Sequence, residues 1–228
     1  MRLHHFAILA ASLSLHYGIA GAADPVKLRL FVLSGQSNMS HLNPDDAFTP
    51  TVKAAYPHDE VIVVRYAGSG TPISQWWKDP KTGQGGGLYD VLMAQVKKAL
   101  GGKTPDTVAF VWMQGERDAK GGMSGSYSNA LHGLIQRVRD DLKHPDLAVV
   151  IGRLSDHLNG TKHWDAVRAI QEKVATEDRR GGWVDTDDLN GGNNDLHCTK
   201  EGFLELGRRL AAKSVELLAK PASQPAKQ

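Results

Sequence analysis

The chain reads as an α/β protein, a three-layer α/β/α sandwich built on a five-stranded parallel sheet with a flavodoxin-like rhythm. Two features predict it. Short, nearly continuous apolar runs rich in branched residues recur along the sequence, the pattern of strands buried on both faces of a parallel sheet. Longer stretches of helical period separate them, and regular alternation of strand and helix is what parallel crossover units produce.

In chain order, strands are expected at Leu28 to Leu33, Val61 to Tyr66, Val108 to Met113, Leu147 to Leu154 and Trp183 to Asp185. Amphipathic helices are expected at Leu88 to Leu100, Ser126 to Leu142, Trp164 to Glu177 and Thr199 to about Ala219. Ser40 to Asp59 and the glycine-rich Lys81 to Gly87 lack a clear period and read as loops.

With 228 residues, the chain is long enough for one sizeable core and short for two, so a single catalytic domain is expected over residues 23–220. Hydrophobic residues make up 41%, charged residues 23%, and the formal net charge is +2, which points to neither nucleic acid nor an anionic membrane as partner. Met1-Arg2-Leu3-His4-His5 leads into the apolar run Phe6 to Leu15 and then Ala20-Gly21-Ala22, the layout of a secretory signal peptide over residues 1–22. That run is shorter than the roughly twenty residues a bilayer span needs, so a secreted or periplasmic protein, free of the membrane after cleavage, is expected. Residues 221–228 read as a disordered tail.

Cys198, the single cysteine, has no partner for an internal disulfide and reads as a small buried apolar residue without a catalytic role. Among ten histidines, neither His157 with His163 nor His41 with His58 has a metalloenzyme's spacing, so neither metal nor cofactor is expected. Composition leaves the oligomeric state open.

In an open parallel sheet, ligands bind at the carboxyl ends of the strands. Four segments fall there: Ser34-Gly35-Gln36-Ser37-Asn38-Met39, Ala67-Gly68-Ser69-Gly70-Thr71-Pro72, Trp112-Met113-Gln114-Gly115-Glu116 and Asn193-Asn194-Asp195-Leu196-His197. Acyl transfer by a serine needs a base to take its proton and preorganised donors for the oxyanion, and this rim holds candidates for each. Ser37 taken alone reads better as a helix cap. Gly68 and Gly70 serve a turn or a close backbone approach. Gln114 at the end of a buried strand serves an oxyanion or structural hydrogen bonds. Glu116 is a supporting candidate for positioning substrate or a neighbouring side chain.

These blocks, together with Gly70-Thr71-Pro72-Ile73-Ser74-Gln75-Trp76, Arg117-Asp118-Ala119, Asp185-Thr186-Asp187-Asp188-Leu189 and Glu205-Leu206-Gly207-Arg208-Arg209, resemble the SGNH-hydrolase superfamily. Within it they are most similar to the sialate O-acetylesterase-like group that includes carbohydrate esterase family six. The resemblance implies a serine esterase that removes O-acetyl groups from a carbohydrate, an acetylated xylan-type polysaccharide or a sialic acid, through an acetyl-serine intermediate and without a cofactor. It implies Ser37 as nucleophile, His197 as general base, and an oxyanion site made by the Ser37 N–H, a glycine (Gly70 in preference to Gly68) and the Gln114 side chain. Relatives often carry an aspartate three residues before the histidine; here that position is Asn194. Asp195 is therefore preferred as third catalytic member, with Asn194 next and Asp185, Asp187 and Asp188 behind. Competing readings are an esterase of non-sugar substrates and a non-catalytic carbohydrate-binding protein on the same fold.

Overall fold

The structure, a computed structural model, describes residues 25–220; the expected signal peptide and tail lie outside the described residues. Five strands, β1 (Leu28–Gly35), β2 (Glu60–Ala67), β3 (Thr107–Met113), β4 (Ala148–Gly152) and β5 (Gly181–Val184), pair in parallel in the order β2-β1-β3-β4-β5. Each overlaps one of the apolar runs, with β5 beginning two residues earlier than expected. The helices are α1 (Ser37–His41), α2 (Phe48–Ala55), α3 (Gly87–Leu100), α4 (Glu116–Lys120), α5 (Ser124–Leu142), α6 (Lys162–Glu177) and α7 (Lys200–Ala219).

Successive side chains of a strand point to opposite faces, and the two faces are covered separately. Leu30, Val32, Phe110, Trp112, Val149 and Ile151 pack with residues of α3, α5 and α6 such as Leu92, Leu134 and Val167. On the other face, Phe31, Leu33, Val111 and Val150 meet Phe48 and Val52 of α2 and Leu206 and Leu210 of α7. Each fully buried side chain of this size contributes about 1.5–3 kcal/mol from leaving water, so the sheet rather than any loop sets the frame.

The stretch from Ser40 to Asp59, expected as loop, holds α2. Its apolar anchors Phe48 and Val52 are only four residues apart, too few to define a period. Tertiary packing supplies the rest: α2 lies against α7 where Gly207 lets the backbone nitrogen of Phe48 come within 3.3 Å of the glycine's missing Cβ. Pro50 falls in the first turn, where its lost N–H has no intrahelical acceptor to miss. Lys81 to Gly86 is irregular, in line with the expected loop.

Strand order reverses between β1 and β3, which opens a crevice at their carboxyl ends. Gly35 closes β1 at φ +149°, and a Cβ there would lie 1.9 Å from the Met113 carbonyl oxygen. Beyond it the Gln36 N–H donates to that same oxygen at 2.9 Å, so the chain turns into α1 while still bonded to β3. Gly35→Ala should lower the unfolding free energy by roughly 2–4 kcal/mol, read from the urea midpoint; an unchanged midpoint would show that the strand ends separate freely.

Candidate active site

Ser37 is the first residue of α1 and the N-cap position belongs to Gln36, so the hydroxyl is not used as a cap. Instead Ser37 Oγ lies 2.9 Å from His197 Nε2. The histidine is carried by the loop between β5 and α7, across the crevice from α1. A first-turn N–H such as that of Ser37 has no acceptor within its own helix. Ser37 and His197 share a cleft of about 480 Å³ with His41, Gly70, Arg117 and Lys120, within the range of small-ligand sites. A larger hollow of about 620 Å³ lies beside Lys27, Arg29 and Tyr56, near the start of β1, and holds no nucleophile with a base.

Asn38 joins the two sides of the cleft. Its Oδ1 accepts from the Cys198 N–H at 3.1 Å, and its Nδ2 donates to the Leu196 carbonyl at 3.2 Å and to Glu116 Oε1 at 2.8 Å. Glu116 is 2% exposed, and burial raises its pKa above the usual carboxylate range. Asn38 is not among the residues singled out by the sequence, although its place directly after the candidate nucleophile is a signal.

The expected third member does not reach the histidine. Asp195 is exposed, and among the described residues its carboxylate makes no hydrogen bond to His197. Its own N–H donates to the Asn190 carbonyl, and Asn194 takes φ +50°, a left-handed turn that asparagine tolerates. That turn directs the carboxylate outward. Asn194 is also committed elsewhere, with Oδ1 accepting from Asn190 and Nδ2 donating to the Asp156 carbonyl. Asp185, Asp187 and Asp188 are held by Arg153, Arg168 and Arg209.

Gln114 is also placed differently from expectation. It is fully buried, and its Nε2 donates to the Thr71 carbonyl at 3.1 Å, to Gln36 Oε1 at 3.2 Å and to Asp118. With its donors spent inside, Gln114 holds the loop that carries Gly70. The two candidate glycines differ in a telling way: the Gly68 N–H donates to the Gly35 carbonyl at 3.0 Å, whereas Gly70, at φ +69°, lines the cleft with open space around it. Gln36, passed over in the sequence, accepts at Oε1 from the Arg117 N–H at 3.1 Å as well as from Gln114 and so ties the ends of β1 and β3 together.

The pKa of His197 is lowered from the ordinary imidazole value, first by burial and then by electrostatic interaction with His41, Lys120 and His157. His41 packs edge-on against the His197 ring at 5.2 Å. The Cys198 thiol is pushed up to about 12, chiefly by burial, which leaves it unreactive at neutral pH. His157 and His163 are separately engaged, with the Asn194 carbonyl and the Ser124 hydroxyl.

The doubly wound parallel sheet is the fold of SGNH-type proteins, with Ser37 and His197 paired at its switch point. Residues 40–216, more than half the chain, match the family described as carbohydrate esterase, sialic acid-specific acetylesterase. The protein belongs to that family. The match begins just after Ser37 and includes Gln114 and His197. A probable carbohydrate esterase of Arabidopsis thaliana is 28% identical over 180 residues, covering 75% of this chain and 62% of the relative. The chain thus spans less than two thirds of that relative's length. The X-ray structure of the Arabidopsis protein superposes with a TM-score of 0.67 at 21% identity, over 84% of this chain and 99% of the other. A carbohydrate acetylesterase from Xanthomonas citri gives 0.64 at 18% identity, over 84% of this chain and 56% of its own.

A base must be neutral to accept the serine proton. Because the His197 pKa is depressed, the ring stays neutral, and so able to accept a proton, to a lower pH than an ordinary imidazole. The acid limb of Ser37 labelling by a serine-directed phosphonate should therefore lie below the ordinary imidazole value. Lys120→Gln should move it up; a limb that stays in place would remove the Lys120 charge from the account.

Proposed function

We propose that this protein is a serine esterase that hydrolyses O-acetyl esters on a carbohydrate through an acetyl-serine intermediate. The observation that carries the reading is the 2.9 Å contact between Ser37 Oγ and His197 Nε2 in an open cleft. His197 takes the Ser37 proton as Oγ attacks the acetyl carbonyl. The oxyanion is held by the N–H groups of Ser37 and Gly70, and collapse breaks the bond to the sugar oxygen, which takes the proton from His197 and leaves as a hydroxyl. Water then attacks the acetyl-serine by the same steps, releasing acetate and restoring Ser37. In this scheme Gln114 acts by holding the Gly70 loop, and Asp195 contributes at most charge at a distance.

Among acetylated carbohydrates, the charge of the cleft favours one that bears a carboxylate, such as a sialic acid, over neutral xylan. Arg117 and Lys120 are exposed at the rim and, among the described residues, neither forms an ion pair, whereas Arg29, Arg139, Arg153, Arg168 and Arg209 all do. The one carboxylate lining the cleft, Glu116, is buried and bonded inward to Asn38. The charged start and apolar run of residues 1–22 support action outside the cytoplasm, as a secreted or periplasmic enzyme.

Acetate release from an O-acetylated sialoside and from acetylated xylan tests the activity. Ser37→Ala should lower it by roughly 10⁴-fold or more; a folded Ser37→Ala protein of undiminished activity would sink the assignment. Asp195→Ala should leave most activity, and so should Asn194→Ala; a large loss confined to Asp195→Ala would return that residue to the triad. Arg117→Gln should raise KM for the sialoside by about 2- to 5-fold, the worth of one solvent-exposed ion pair, and leave a neutral acetyl ester unaffected. Equal effects on both substrates would remove the preference for an anionic sugar.

A further inference from the structure

In a serine–histidine site the imidazole must be aimed as well as basic, and a carboxylate bonded to Nδ1 usually does the aiming. No such bond reaches His197 from any described residue. What does hold the histidine is its main chain. The carbonyl of Leu196 accepts from Asn38 Nδ2 at 3.2 Å, and the N–H of Cys198 donates to Asn38 Oδ1 at 3.1 Å. One amide therefore grips the peptide units on both sides of His197. Since a side chain leaves its backbone in a direction set by φ and ψ, this grip leaves the ring only its two side-chain torsions. His41, packed edge-on at 5.2 Å and itself backed by Phe203 at 5.9 Å, limits those.

We infer that Asn38, locked by Glu116, is the positioning residue for His197, supplying through the loop backbone the orientation that a carboxylate on the ring would otherwise give. This rests on the reading of Ser37 and His197 as nucleophile and base. Three features argue for a built device. Asn38 adjoins Ser37, so one turn of α1 sets both the nucleophile and the grip on its base. The amide has no freedom to flip, because Oδ1 faces a donor while Nδ2 faces two acceptors. The third bond goes to Glu116, 2% exposed, whose second oxygen Oε2 has no partner. A buried carboxyl with an unbonded oxygen is costly, and its bond to Asn38 is the use the site makes of it.

The test compares wild type with Asn38→Ala, Asn38→Asp and Glu116→Gln by kcat and KM on p-nitrophenyl acetate, by phosphonate labelling of Ser37, and by melting temperature. Displacing a catalytic group by about 1 Å costs on the order of 10²-fold in rate. Asn38→Ala is expected to lose about that much in kcat and in labelling rate, with KM within about twofold. Asn38→Asp keeps the acceptor for Cys198 but not the donor to Leu196, and should lose at least about tenfold in kcat. Glu116→Gln preserves a carbonyl oxygen towards Asn38 and should stay within about threefold of wild type. The aspartate variant decides the matter if the alanine variant does not fold. The inference is overturned if folded Asn38 variants keep wild-type kcat, or if kcat and KM change only in step with lost melting temperature, the mark of a merely structural tie. A wild-type protein that neither labels nor releases acetate would instead remove the catalytic reading and this inference with it.

Discussion

At the end of β1 the chain passes so close to β3 that no side chain fits between them. The missing Cβ of Gly35 would sit inside the Met113 carbonyl, and the next residue, Gln36, bonds that carbonyl through its N–H. The rest of the site follows from this approach. It delivers Ser37 to the start of α1 directly above the switch point, and brings Gln36 Oε1 within reach of Gln114 and the Arg117 N–H. Gln114 in turn holds the Thr71 carbonyl, and Asp118 accepts from both Gln114 and the Ile73 N–H. Three loops from three strands are thereby fastened to one another before any substrate arrives, which is the condition under which backbone donors act on an oxyanion without reorganising.

The electrostatics of the cleft pull in two directions. Burial and the neighbouring His41 and Lys120 keep His197 neutral, hence ready to accept a proton. The same surroundings disfavour the imidazolium that would form once the proton has moved. A carboxylate on Nδ1 would offset that cost, and the exposed Asp195 contributes little through solvent. An anionic substrate held at Arg117 would supply negative charge to the cleft while bound. On this reading substrate charge and base strength are coupled, and the pH dependence of the reaction differs between acidic and neutral sugars.

Much of the fold was legible because it follows from local chemistry repeated along the chain. Apolar branched runs marked all five strands, and helical periods marked α3, α5, α6 and α7. Helix α2 was hidden because two anchors four residues apart carry no period, and it exists through its packing on α7. The short α1 and α4 belong to the turns that follow β1 and β3. Of the site, the positions after each strand and the family-like blocks singled out Ser37, Gly70 and His197, which the structure gathers around one cleft.

The sequence by itself determined the layers, the rim on which the chemistry falls, and the residue types available there, because periodicity and strand ends are properties of neighbours in the chain. Tertiary structure alone decided where each polar side chain spends its hydrogen bonds. Asp195 faces water because Asn194 turns left-handed, and Gln114 is inward because Thr71, Gln36 and Asp118 surround it. Asn38 grips the backbone on either side of His197, about 160 residues away in sequence. Such directions depend on dihedral angles and on partners far apart in the chain, and neither is written in the local pattern.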